Sequence, residues 1–227
     1  GSSHQPLPWV GGRPGVGLLP GTSRLADRHT GGQRQPLNLQ NTDFKTLVQT
    51  AQVQGLSINQ ELPQATRSIL ERADQAQRQL TSDELSTICQ VSGIDGSLAD
   101  NLIQRSDHLV NQARAHLLET QPHLVQPGGA LHPEDRAEAC WRDCWNFLRV
   151  ITYAVACNQS CFTNPSGMAA LRELYRRMNV PIEGMNIALG QLKEKALEGV
   201  SRSNERQLIR DCFLHLYAEL NKSAVKS

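Results

Sequence analysis

From Pro63 to the C-terminus, apolar residues recur at intervals of three and four and strand alternation is nowhere sustained. That period belongs to one face of an α-helix, so the chain is confined to architectures that pack helix on helix. The spacing predicts a helix over 64–79 with Ala65, Ile69, Ala73, Ala76 and then Leu80 on one side, and a short helix after Ser82, a residue type suited to an N-cap. Residues 97–120 repeat Leu98, Leu102, Leu109, Ala113 and Leu117, and Pro122 breaks the run. A long helix is expected from Pro133, with Glu134 and Asp135 complementing its positive end and a stripe of Ala137, Cys140, Cys144, Phe147, Ile151 and Val155. Asn164-Pro165 and Pro181 open two more, and Ser203 is expected to cap the last. The fold class is therefore all-α.

Composition shifts sharply near residue 37. Eight of the seventeen glycines and five of the eleven prolines fall in residues 1–36, too few apolar groups remaining there for a core. Residues 42–53, with Phe44, Leu47, Val48 and Val53, are expected to form a short helix ended by Gly55. The expected organisation is a flexible arm over 1–62, containing that helix, and a helical domain over 63–227. The segment 42–53 is expected to fold against a neighbouring subunit. A net charge of +1 with interspersed signs gives no electrostatic case for nucleic acid or for a membrane surface. No apolar stretch approaches the ~18 residues a spanning helix needs, so the chain is expected to be soluble, intracellular and at most peripheral to a membrane.

Four of the six cysteines form two C-x-x-x-C pairs, Cys140 with Cys144 and Cys157 with Cys161. Neither has a histidine spaced to complete a zinc site. More informative is Cys140-Trp141-Arg142-Asp143, early on the long helix. At a separation of three, Cys140 and Asp143 share a helix face. A thiol and a carboxylate there could hold an extended ligand through sulfur and through ring N–H groups, with the Arg142 arm reaching an acidic tail. No catalytic triad, phosphate loop or paired-carboxylate site is present, so no enzyme activity is expected.

The surrounding pattern resembles the phycobiliproteins, most closely their allophycocyanin α-type chains. Pro127-Gly128-Gly129 precedes Ala137, Cys140, Arg142, Asp143, Leu148, Arg149, Thr152 and Tyr153, in the register of the family's chromophore helix. Gly167, Leu171-Arg172-Glu173, Tyr175 and Val180-Pro181-Ile182 continue the likeness downstream, and Ala73-Asp74, Arg78-Gln79-Leu80 and Glu84-Leu85 begin it upstream. The chain departs from the family at Trp145, at Asn146-Phe147, where a Tyr-Tyr pair is usual, and at Cys157-Asn158-Gln159 and Met178-Asn179.

The resemblance implies a globin-like domain with an added N-terminal helical hairpin. It implies a covalently bound open-chain tetrapyrrole, phycocyanobilin, joined to Cys140 by a thioether, with Asp143 accepting from its central N–H groups, Arg142 pairing with a propionate, and Tyr153 and Tyr175 walling the pocket. It also implies light harvesting in a phycobilisome core at the cytoplasmic face of a cyanobacterial thylakoid membrane or in a plastid stroma, pairing with a β-type phycobiliprotein subunit through Asp74 and Arg149, and contacts with linker or other antenna proteins. The apolar side of residues 64–91, Ile69 and Leu70 included, has no evident cover within the chain and is expected to serve that pairing. A chromophore-poor docking member of the same fold, anchored by the N-terminal arm, is the alternative implied function.

Overall fold

The computed structural model describes residues 42–223, so the Gly- and Pro-rich part of the expected arm lies outside it. Nine α-helices follow one another among the described residues: α1 (Phe44–Thr50), α2 (Gln64–Gln75), α3 (Ser82–Ser92), α4 (Gly96–Gln104), α5 (Ser106–Thr120), α6 (Glu134–Ala156), α7 (Pro165–Arg177), α8 (Ile182–Leu197) and α9 (Ser203–Leu220). The only β-type pairing among these residues is an isolated bridge between Gln54 and Thr163. None of their helices is long and apolar enough to cross a membrane.

The axis of the core is α6. Its first three turns keep a solvent-facing side, but every residue from 146 to 156 is buried, as expected of a helix enclosed by others on all sides. α4, α5, α8 and α9 pack around it, and α5 lies along α8.

Several boundaries differ from the sequence expectations for local reasons. The 64–79 stretch ends as a helix at Gln75, because Gln77 turns left-handed (φ 51°) while Arg78 N–H bonds Ala73 O at 3.1 Å and Gln77 N–H bonds Asp74 O at 3.0 Å. The α3 cap is Thr81 rather than Ser82. Only Thr81 has a glutamate three residues on, and its hydroxyl and the Glu84 carboxylate satisfy each other's backbone N–H groups. Residues 97–120 form two helices that meet at Arg105, whose guanidinium bonds the carbonyls of Lys195 and Glu198. Ser203 is the first residue of α9 rather than its cap.

A larger correction concerns residues 43–62. They belong to the arm on composition, yet Leu47, Ala51, Val53 and Leu56 are buried in the same core as the helical domain. Asp43 caps α1 by accepting from Thr46 N–H. The helix then runs antiparallel along α7 of its own chain: the Thr42 carbonyl accepts from Arg177 at 2.8 Å at one end, and Gln52 meets Gly167 at the other. Beyond it, Asn164 N–H bonds Val53 O and Gly55 N–H bonds Phe162 O, at 2.8 and 2.7 Å. The turn at Leu56–Ile58 packs on α2. Ile69, Leu70 and Ala73 are therefore covered within the chain, not left open for a partner. The packed unit begins near Asp43, twenty residues before the expected boundary.

Gly167 makes the close approach possible, since a Cβ there would sit 2.0 Å from the Gln52 carbonyl oxygen. Gly167→Val is expected to cost at least the ~1–3 kcal/mol typical of an overpacked site. Residues 43–62 should then be cut early in limited proteolysis; wild-type stability in urea together with unchanged proteolysis would refute the contact.

Candidate functional site

On α6, Cys140, Asp143 and Cys144 point toward α7 and α8. Tyr175 of α7 donates its hydroxyl to Asp143 Oδ2 at 2.7 Å, and Cys144 Sγ lies 3.8 Å from Met185 Sδ of α8. The cluster is closed: Cys140 is 5% exposed and Asp143 4%. Asp143 Oδ1 is buried without a hydrogen-bond partner, as is Trp141 Nε1. An ionised carboxylate with an orphaned oxygen is an expensive thing to bury, and a group that keeps one has a use for it or gives up its charge.

Burial pushes the Asp143 carboxyl well above its ordinary value of 3.8, against the opposing pull of the Tyr175 hydroxyl and the Arg142 charge. Tyr175 is likewise raised, first by burial and then by the Asp143 charge. Contact with Cys140, followed by burial, raises the Cys144 thiol. Because Asp143 holds its proton more tightly folded than unfolded, it detracts from stability increasingly as pH rises from about 3.8 through the raised folded value. Asp143→Asn is therefore expected to raise the melting temperature of the pigment-free protein at pH 7 and to leave it nearly unchanged at pH 3.5. Equal shifts at both pH values would contradict this.

The other named residues fall elsewhere. Arg142 is exposed beside the cluster and its backbone carbonyl accepts from the Asn146 side chain. Arg149 stands nine residues from Cys140, about two and a half turns, and so faces the opposite side of α6. It is 0% exposed; Nη1 bonds Asp74 Oδ1 at 2.9 Å and Tyr153 Oη at 2.7 Å, and Nε bonds Asn146 Oδ1 at 3.0 Å. Asp74 Oδ2 also accepts from Gln52 at 3.3 Å. The two residues expected to reach a partner chain are thus closed on each other within this one.

Tyr153 belongs to the same second group. Its hydroxyl donates to the Arg78 carbonyl, and burial pushes its pKa up to about 12. It lies about 15 Å along the helix axis from Asp143, so the structure does not bring it to the Cys140 cluster, whereas Tyr175 is in it. Sequence reasoning passed over Asn146 and Gln52 as members of the buried network, in which Arg149 Nη2 alone of the guanidinium nitrogens is without a partner. Asn146 was legible at three residues before Arg149, but nothing local marks Gln52. It also passed over the aromatic cover of α6: the Arg114 guanidinium lies 5.4 Å from the Trp141 ring centroid, and Trp145 Nε1 donates to Asp107 at 3.1 Å. An open cleft of about 690 Å³, edged by Leu85, Cys89, Ile94, Asp95, Asp100 and Arg202, shares no residue with the Cys140 cluster.

The residues at Cys140 fit an open-chain tetrapyrrole. A thiol for a thioether and an acceptor oxygen without a partner stand one helical turn apart, with the exposed Arg142 between them in sequence. Comparison with known proteins points the same way. The chain is 33% identical over 134 residues to the allophycocyanin alpha chain of Synechocystis sp., an alignment that spans 58% of this chain and 83% of that protein. It is 30% identical over 141 residues to a putative allophycocyanin subunit alpha 2 of Nostoc sp. (60% and 85% of the two chains), and 28% over 143 residues to the allophycocyanin alpha-B chain of Cyanophora paradoxa (62% and 88%). The phycobilisome protein family matches residues 68–220, taking in every helix from α3 to α9 together with the buried Cys140 cluster, and the chain belongs to that family.

Proposed function

We propose that this chain is a light-harvesting pigment protein of the allophycocyanin α type, a bilin-binding subunit of a phycobilisome core with no enzymatic activity. The observation that carries the reading is the Asp143 carboxylate, held by Tyr175 through one oxygen and unpartnered at the other, one turn from the Cys140 thiol. The bound phycocyanobilin supplies visible absorption and the excitation that is passed on. Cys140 supplies the thioether sulfur. Asp143 would accept from the pigment's ring N–H groups through its unpartnered oxygen and would favour their charged form. Arg142, already at the surface, pairs with a propionate. Tyr175 keeps the carboxylate aimed.

The chain pairs with a β-type subunit and joins linker or other antenna proteins at the thylakoid surface, facing the cytoplasm. Because Asp74 and Arg149 are closed within the chain, this pairing draws on other exposed groups, with Asp74 and Arg149 fixing the α2–α3 corner that a partner would meet. Absorption and emission spectra of the protein made with its native pigments, with peptide mapping of the attached mass, test the reading. A colourless protein would instead support the chromophore-poor docking member, a reading favoured by how little of Cys140 is exposed.

A further inference from the structure

α7 brings Tyr175 onto the Cys140–Asp143 face of α6, yet the main packing of α7 is not against α6. α7 packs chiefly on α1, with a smaller contact on α9. Toward α6 it is joined by side chains reaching across: Tyr175 to Asp143, and the Arg136 guanidinium to the carbonyls of Met178 and Asn179 just past the end of α7. The unpartnered Asp143 oxygen belongs to this junction. On its other side α7 is spanned from end to end by the antiparallel α1, from Thr42 at Arg177 to Gln52 at Gly167. A seven-residue helix is marginal alone. What seats it is the burial of Leu47, Ala51, Val53 and Leu56.

We propose that residues 43–62 are a strap that holds α7 against α6 and so governs access of an open-chain tetrapyrrole to Cys140. The identity of the ligand rests on the proposed function; the strap does not. A small peripheral segment opens more readily than the whole fold, and its release leaves α7 held only by its smaller contact with α9 and by the Tyr175 and Arg136 bonds, so Tyr175 parts from Asp143 while α5 and α8 stay packed. The strap is thereby a control on loading supplied by the chain itself.

Labelling of the pigment-free full chain with N-ethylmaleimide, each cysteine resolved by peptide mass mapping, tests this directly. In the unaltered protein the exposed Cys161 should react fast and the buried Cys140 and Cys212 slowly. Leu47→Ala should speed Cys140 at least tenfold while Cys212, in α9, keeps its slow rate. Asp43→Ala, which removes only the α1 cap, should give a smaller rise at Cys140 in a protein certain to retain its core. An unchanged Cys140 rate in both variants, or Cys212 rising in step with Cys140, overturns the strap. A failure of pigment to load onto Cys140 counts against the proposed function alone, because the labelling needs no pigment.

Discussion

Cys140→Ala is expected to abolish covalent pigment attachment altogether. Only Cys144 shares its cluster; the exposed Cys161 lies just before α7 and the buried Cys89 on α3, neither beside Asp143. Cys144 is wholly buried against Met185, its thiol raised by contact with Cys140 and by burial, and Cys157 and Cys212 are buried thiols of raised pKa. A thiol held protonated away from solvent is a poor nucleophile. Zinc-enhanced fluorescence on denaturing gels should fall to background, while the fold is retained because alanine removes only a small side chain from an α6 face. Colour that persists, or pigment mapped to Cys144, would remove Cys140 from the site. Asp143→Asn should keep attachment but weaken red absorption, since an amide cannot match a carboxylate as acceptor for two N–H groups.

Arg149→Ala is expected to be the most destabilising single change away from that site. It leaves the Asp74 carboxylate, nearly buried, without its cation and strips partners from Tyr153 and Asn146. Breaking a buried pair from one side costs about 3–5 kcal/mol, whereas replacing both partners with apolar groups of similar volume is often near neutral. Urea denaturation should therefore show a large loss for Arg149→Ala and recovery of most of it in Arg149→Met combined with Asp74→Leu. If the single variant loses less than about 1 kcal/mol, the value of an exposed pair, the network is not holding the α2–α3 corner. Pigment attachment should survive in the folded fraction, as Arg149 and Cys140 lie on opposite sides of α6.

Much of the fold was legible because helices announce themselves locally. The three-and-four spacing marked the helical stretches from α2 to α9, though α4 and α5 were read as one run, Asn164 marked the start of α7, where its side chain does accept from Gly167 N–H, and Pro181 marked the start of α8. Helical period also brought Cys140 and Asp143 to one face. The same period places Tyr153, thirteen positions on, across the helix from Cys140, in agreement with the structure and against the pocket role that the family resemblance implies. The end of α2 was missed because Gln77 takes the left-handed position that glycine or asparagine usually signals.

The sequence by itself determined that residues 64–220 are helical, where most of the helices lie to within a few residues, and which residues on α6 share a face with the Cys140 thiol, because each of these depends on residues within a few turns of one another. Only the tertiary structure decided what those faces meet. Gln52 and Asp74 come together over 22 positions, Asp74 and Arg149 over 75, and Asp143 and Tyr175 over 32. Pairings at that range depend on which apolar faces bury each other best, not on local spacing. The same competition drew residues 43–62 onto their own chain, since burying Leu47, Val53 and Leu56 stabilises by roughly 1.5–3 kcal/mol per side chain without the entropy that recruiting a second molecule would cost.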